Sequence, residues 1–121
     1  MTEFSIQGQR GEIKALRLGN PNGMPVLALH GWLDNAASFI PMAPFLAKHN
    51  IIAMDSIGHG GSAHIPKGYD YAFADWMHDI LDVMDALEWQ QAHLLGHSLG
   101  GALATAVAAG APERVLSLAS I

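Results

Sequence analysis

The sequence predicts an α/β fold, a mostly parallel sheet with helices on both faces. Two observations lead there. PVLALH at residues 25–30, IIAMD at 51–55 and AHLLGH at 92–97 are short, nearly continuous apolar runs, the pattern of strands covered on both sides. Segments with helix caps or helical periodicity stand between them. Strands alternating with helices build a parallel sheet whose ligands sit at the carboxyl ends of the strands.

Residues 3–7 and 12–19 read as two strands joined by a tight turn at 8–11, an antiparallel hairpin. Asn20, Pro21, Asn22 and Gly23 make a loop before the strand at 25–30. Asp34 or Asn35 can cap a helix running to about Lys48, and the strand at 51–55 completes a strand-helix-strand unit. From Phe73, the residues Met77, Ile80, Leu81, Met84 and Leu87 recur at three- and four-residue spacing, with Asp75, Asp79, Asp82 and Asp85 on the other side. That pattern predicts an amphipathic helix lying on the sheet with a solvated acidic face. Residues 92–97 form a further strand, and the alanine-rich run at 102–109 is a helix stopped by Gly110 and Pro112. Residues 115–121 form a last strand, long and apolar at the sheet edge. No repeat or linker interrupts residues 1–121, which read as part of a single domain.

Composition narrows the function. Half of the 121 residues are hydrophobic, 14% are charged and the mean hydropathy is +0.22, which favours a buried core over disorder. No apolar run approaches the roughly 20 residues that span a bilayer. The N-terminus MTEFSIQGQR lacks a basic region followed by an apolar stretch, and the chain has no cysteine, so a cytoplasmic location is expected. The net charge is −5 and the six Lys and Arg form no patch, which argues against nucleic acid as a partner. Seven histidines show no metal-ligand spacing. Residues 58–63, GHGGSA, satisfy the form of a dinucleotide fingerprint, but Pro66 and Gly68 follow at once and deny it the helix N-terminus that holds a pyrophosphate. Neither metal nor cofactor is expected.

The chemistry gathers at GHSLGG, residues 96–101, between the strand at 92–97 and the alanine-rich helix. G-x-S-x-G in that place is a nucleophile elbow, a strained turn that lifts a serine hydroxyl clear of the sheet. Ser98 is the expected nucleophile. Gly96, Gly100 and Gly101 let strand and helix pack closely around it, and the Leu99 N–H at the helix N-terminus can hold an oxyanion. A second donor is expected from His30-Gly31-Trp32 after PVLALH, with the Trp32 N–H as candidate. His97 is a neighbour whose side chain points elsewhere, so it is not the expected base. His30 and His59 are expected to brace loops near the mouth of the site. His49, His64, His78 and His93 read as surface or satisfied histidines. Trp32 stands on a site-forming loop, and Trp76 and Trp89 read as packing for the helix that begins near Phe73.

In that order and spacing, HGWLDNAASF, DSIGHGGS and GHSLGG resemble the α/β-hydrolase superfamily, and the first motif resembles its serine-hydrolase-like branch. The resemblance covers essentially the whole chain. It implies Ser98 as nucleophile, the Trp32 and Leu99 amides as oxyanion hole, and residues 58–60 in a loop that shapes the floor of the site. Dehalogenase and epoxide hydrolase chemistry is disfavoured, because such members carry aspartate where Ser98 stands. In this fold the acid and histidine of the triad follow the serine. Beyond Ser98 this chain has only Glu113 as a carboxylate side chain, at a turn on the far side of the sheet, and no histidine.

The expectation is therefore the N-terminal part of an α/β-hydrolase domain. The complete protein is read as a serine hydrolase of small-molecule acyl substrates, its base and acid lying outside this sequence. Losing the base costs on the order of 10⁶ in kcat, so the chain alone is expected to be nearly inactive. The same elbow also serves lyases, acyltransferases and C–C bond hydrolases, and a non-catalytic interaction protein or inactive fragment on the same scaffold is the reading from another class. Oligomeric state is left open.

Overall fold

The computed structural model describes residues 1–121. Strands β1 (Thr2–Gly8), β2 (Gly11–Gly19), β3 (Pro25–Leu29), β4 (Asn50–Met54), β5 (Ala92–Gly96) and β6 (Val115–Ser120) form one sheet in the order β1-β2-β4-β3-β5-β6. Every strand end lies within one residue of its expected place. β1 pairs antiparallel with β2, and β2 with β4, while β4, β3, β5 and β6 run parallel. All four carboxyl ends of the parallel set therefore open on one edge.

Helices α1 (Phe73–Ala86) and α2 (Leu99–Gly110) cover one face. There Leu27, Leu29, Ile52, Met54 and Leu94 pack against Trp76, Ile80, Val83 and Met84 of α1 and Leu103, Ala104 and Val107 of α2. The intervening residues Val26, Ala28, Ile51, Ala53 and Leu95 point the other way, onto Ala36 and Phe39. This period of two, apolar at both phases, is why the central strands read as continuous apolar runs rather than alternating ones.

The segment on that second face corrects the expected helix reaching Lys48. It is a 3-10 helix, Ala36–Leu46, capped by Asn35, whose Oδ1 accepts the Ala37 N–H at 2.9 Å. Pro41 and Pro44 stand inside it, and each removes a donor and clashes with the carbonyl one α-turn back, so an α ladder cannot form. Helices do cover both faces, but the regular ones share a side.

The acidic face of α1 needs a second correction. Asp79 is buried at 1% exposure, not solvated. Arg10, from the β1–β2 turn, meets it bidentately, with Nε to Oδ1 at 3.0 Å and Nη2 to Oδ2 at 2.6 Å. The Asp79 carboxylate raises the Arg10 pKa against the opposing effect of burial. Asp82 accepts the Gln9 N–H at 3.1 Å, and Asp85 pairs with Arg114 at 2.7 Å. The stripe is thus a row of fasteners that ties the hairpin and the β6 approach to α1. Removing one member of a buried pair strands the other charge, at a cost of about 3–5 kcal/mol. Arg10→Met is expected to lower the chemical-denaturation stability by about 3 kcal/mol, and Arg10→Met with Asp79→Leu to recover most of it; equal losses in both variants would contradict the pairing.

Candidate active site at the β5–α2 turn

The elbow is built by steric exclusion. Ser98, between the end of β5 and the start of α2, has φ 55° and ψ −116°, a left-side conformation that non-glycine residues avoid. It persists because its surroundings over-determine it. A Cβ on Gly96 would strike the Gly100 carbonyl, and one on Gly100 would strike the carbonyl oxygen of Leu29 in β3. Only bare backbone lets α2 start so close to two strands.

Main-chain bonds then fix the turn. The Ser98 N–H donates to Ile121 O at 3.0 Å, His97 N–H to Leu29 O at 3.0 Å, and Gly100 N–H to His97 O at 2.9 Å. The Leu99 N–H, first in α2, has no acceptor in the chain, and neither does the Trp32 N–H in the loop after β3. That loop closes on the elbow: a Cβ on Gly31 would lie 3.4 Å from the Ser98 Cβ and 3.4 Å from His97 Nδ1. Ser98 is exposed and its hydroxyl bonds to nothing in the chain. The structure thus brings Ser98, the Leu99 and Trp32 amides, Gly31 and His97 together at one sheet edge. Glu113 lies at the other end, since its turn (Pro112–Arg114) precedes Val115, the partner of Ala92, while Ser120 partners Gly96.

His30 braces this loop as expected. It is 2% exposed, its Nδ1–H donates to Gly31 O at 2.7 Å and its Nε2 accepts the Ser56 N–H at 3.0 Å, a pattern open only to the neutral ring. Burial pushes its pKa below the ordinary value near 6.5. A group held neutral in the fold and free to protonate when unfolded adds stability that is complete above about pH 6.5 and is lost as pH falls from there toward the lower folded value. Thermal melts between about pH 7.5 and about pH 5 are expected to show a falling Tm, with a shallower slope in His30→Gln; parallel slopes would exclude His30 as the titrating group.

His59 departs from expectation. It is buried, its Nε2 has no partner and its Nδ1 only approaches Ile57 O at 3.4 Å, so it braces chiefly by packing. Its ring lies 5.0 Å from His30, 5.5 Å from Trp32 and 6.1 Å from Trp76. Trp76 does more than pack α1: its Nε1–H donates to Ile57 O at 2.9 Å, and its ring meets that of Trp32 at 6.0 Å. Neither contact is visible in one dimension, because the partners lie 19 and 44 positions apart. His64 and His78 are exposed and His93 is half-buried with its Nδ1 2.6 Å from Ser117 Oγ, but His49 departs from the expectation of a surface or satisfied ring: it is half-buried and its buried Nδ1 has no partner.

Beside the elbow lies a cavity of about 340 Å³, lined by Asp34, Ser38, Phe39, Met42, His97 and Ile121. The Ser38 hydroxyl, donating at 2.6 Å, and the Asn35 backbone hold the Asp34 carboxyl below the usual carboxylate range. In sequence Asp34 and Ser38 signal only a cap and a helix. No three His, Asp or Glu side chains converge as a metal site would require, and no helix is long and apolar enough to cross a membrane.

A family model described as alpha/beta hydrolase fold matches residues 24–121. The chain belongs to the α/β-hydrolase family. Among its relatives, a serine hydrolase-like protein of Danio rerio is 39% identical over 118 residues, which span 97% of this chain and 36% of the relative. A hypothetical protein of Pseudomonas aeruginosa PAO1 superposes with a TM-score of 0.95 at 45% identity, over 100% of this chain and 43% of that one. The thioesterase domain from the curacin biosynthetic pathway superposes with a TM-score of 0.92 at 30% identity, over 100% of this chain and 46% of the domain. This α/β-hydrolase chain therefore spans between about a third and a half of each of these three proteins.

Proposed function

We propose that this chain carries the nucleophile and the oxyanion hole of a serine hydrolase that acts on ester-like or other acyl substrates. One observation carries the reading: an exposed serine hydroxyl held at φ 55°, beside two main-chain N–H groups that have no acceptor. In this reading Ser98 Oγ attacks the acyl carbonyl, and the carbonyl electron pair moves onto oxygen, where the N–H groups of Trp32 and Leu99 receive it. Collapse expels the leaving group and leaves an acyl-serine. Water then adds to the acyl-serine carbonyl, the second oxyanion occupies the same hole, and collapse breaks the bond to Ser98 Oγ and releases the acid. The α2 N-terminus adds its positive dipole end to the stabilisation of that charge.

Proton transfer needs a base, and its acid partner, from outside this sequence. His97 makes no hydrogen bond to Ser98 Oγ, and no other histidine follows it. The cavity beside the elbow gives an acyl group room next to the Ser98 turn, and the likeness to a thioesterase domain supports acyl chemistry. The test is intact mass spectrometry of the natural protein treated with a fluorophosphonate. One adduct on Ser98, absent in Ser98→Ala, is the expected result; no adduct, or one on another residue, would overturn the reading.

A further inference from the structure

We infer that Asp55 is a positioning residue for the loop that presents the Trp32 N–H, an inference that rests on the serine hydrolase reading above. Asp55 directly follows β4 at the carboxyl edge of the sheet, between the loop after β3 and the glycine-rich turn at residues 58–62. Its carboxylate grips both. Oδ1 accepts the Ala36 N–H at 2.7 Å, and Oδ2 accepts the Gly61 N–H at 2.9 Å.

The Asp55 backbone is itself held on both sides. The Asp55 N–H donates to Lys14 O at 2.9 Å, and the Asp55 carbonyl accepts the Ser62 hydroxyl. A Cβ on Gly60 would collide with the carboxylate, which therefore fills the space that glycine leaves. The next residue adds a second tie to the same loop, since the Ser56 N–H donates to His30 Nε2 at 3.0 Å.

His30 and Ala36 bracket residues 31–35, and Trp32 lies between them. The β4 end thus pins the loop at both ends, once through a histidine and once through a carboxylate. Such pinning matters because an oxyanion donor works only where charge develops, within about 0.5 Å, and losing one donor costs about 10²- to 10³-fold. Charge-assisted bonds to main-chain N–H groups meet that requirement, since they are short and keep their geometry when a substrate presses on the loop. An asparagine at 55 would keep one acceptor and set its NH₂ against the other donor, releasing one of the two loops.

A purely structural role would lower stability throughout and slow Ser98 only in proportion. The experiment compares the natural protein with Asp55→Asn, Ala36→Pro and Asp79→Asn by fluorophosphonate labelling rate, Tm and hydrogen exchange. Ala36→Pro deletes the donor and leaves the carboxylate; it stands at the first helical position, where proline is tolerated, after an extended Asn35. Asp79→Asn destabilises far from the site. The expected result is labelling slowed tenfold or more in Ala36→Pro with faster exchange confined to residues 31–37, near-native labelling in Asp79→Asn, and in Asp55→Asn faster exchange confined to whichever of residues 31–37 and 58–62 faces the amide NH₂, with labelling slowed tenfold or more when it is 31–37. Labelling of Asp55→Asn and Ala36→Pro at the native rate, or exchange that rises uniformly, would overturn this inference alone. If Asp55→Asn does not fold, Ala36→Pro decides by the same criteria. A natural protein that takes no label would overturn the hydrolase reading and this inference with it.

Discussion

Ser98→Ala in the natural protein is expected to lower kcat for an activated ester by about 10⁶, because nucleophile, base and acid act as a unit and removing one forfeits the joint effect. The substitution is nearly silent in the fold. The Ser98 hydroxyl bonds to nothing in the chain, and alanine retains the Cβ, so the Tm is expected to stay close to that of the parent. Ser98→Gly makes a sharper comparison. A residue held at φ 55° and ψ −116° stores about 1–3 kcal/mol of strain, which glycine releases. Ser98→Gly is therefore expected to be as inactive as Ser98→Ala and to melt higher. Turnover of Ser98→Ala at a rate comparable to the parent would remove Ser98 from the chemistry, and equal melting of the two variants would remove strain from the turn.

Gly100→Ala is expected to cost as much stability as the loss of Arg10. A Cβ there meets not a flexible side chain but the carbonyls of Leu29 and His30, at the end of the central strand β3. Overpacking usually costs about 1–3 kcal/mol, and a backbone neighbour that cannot swing aside puts this case at or above the top of that range. About 3 kcal/mol corresponds to a fall of roughly 6–12 °C in Tm for a domain of about 150–250 residues. Calorimetry checks it directly. Ala102→Gly, two residues along α2 on its exposed side, is the control, with an expected loss of no more than about 1 kcal/mol. A Gly100→Ala protein that melts with the parent would mean that α2 does not approach β3 as described.

Much of the fold is legible in the sequence. The strands are readable because the central sheet is buried on both faces, which writes each of β3, β4 and β5 as an apolar run that ends where the polar edge begins. The elbow is readable because its glycines are demanded by contacts between near neighbours, Gly96 with Gly100, that sequence order already juxtaposes. The segment at 36–46 misleads because a capping residue and apolar content outweigh two prolines, whose missing donors settle the helix type. The acidic side of α1 misleads for a different reason. Periodicity reports which face a residue takes, not whether an arginine 69 positions earlier in the chain will reach it.

The sequence by itself determined the α/β class, the succession of strands along the chain, and the placing of one serine between glycines where a strand becomes a helix. These follow from local rules, the periods of two and 3.6 and the volume of a Cβ, which act between residues close in sequence. Only the tertiary structure decided that β2 inserts beside β4, that Arg10 neutralises a buried Asp79, that Trp76 and His59 pack against Trp32, and that Asp55 ties two loops at the mouth of the site. Each of these depends on the free energy of satisfying a buried polar group or filling a shared space. The partner that does so is chosen by proximity in the folded chain, which no local pattern of residues encodes.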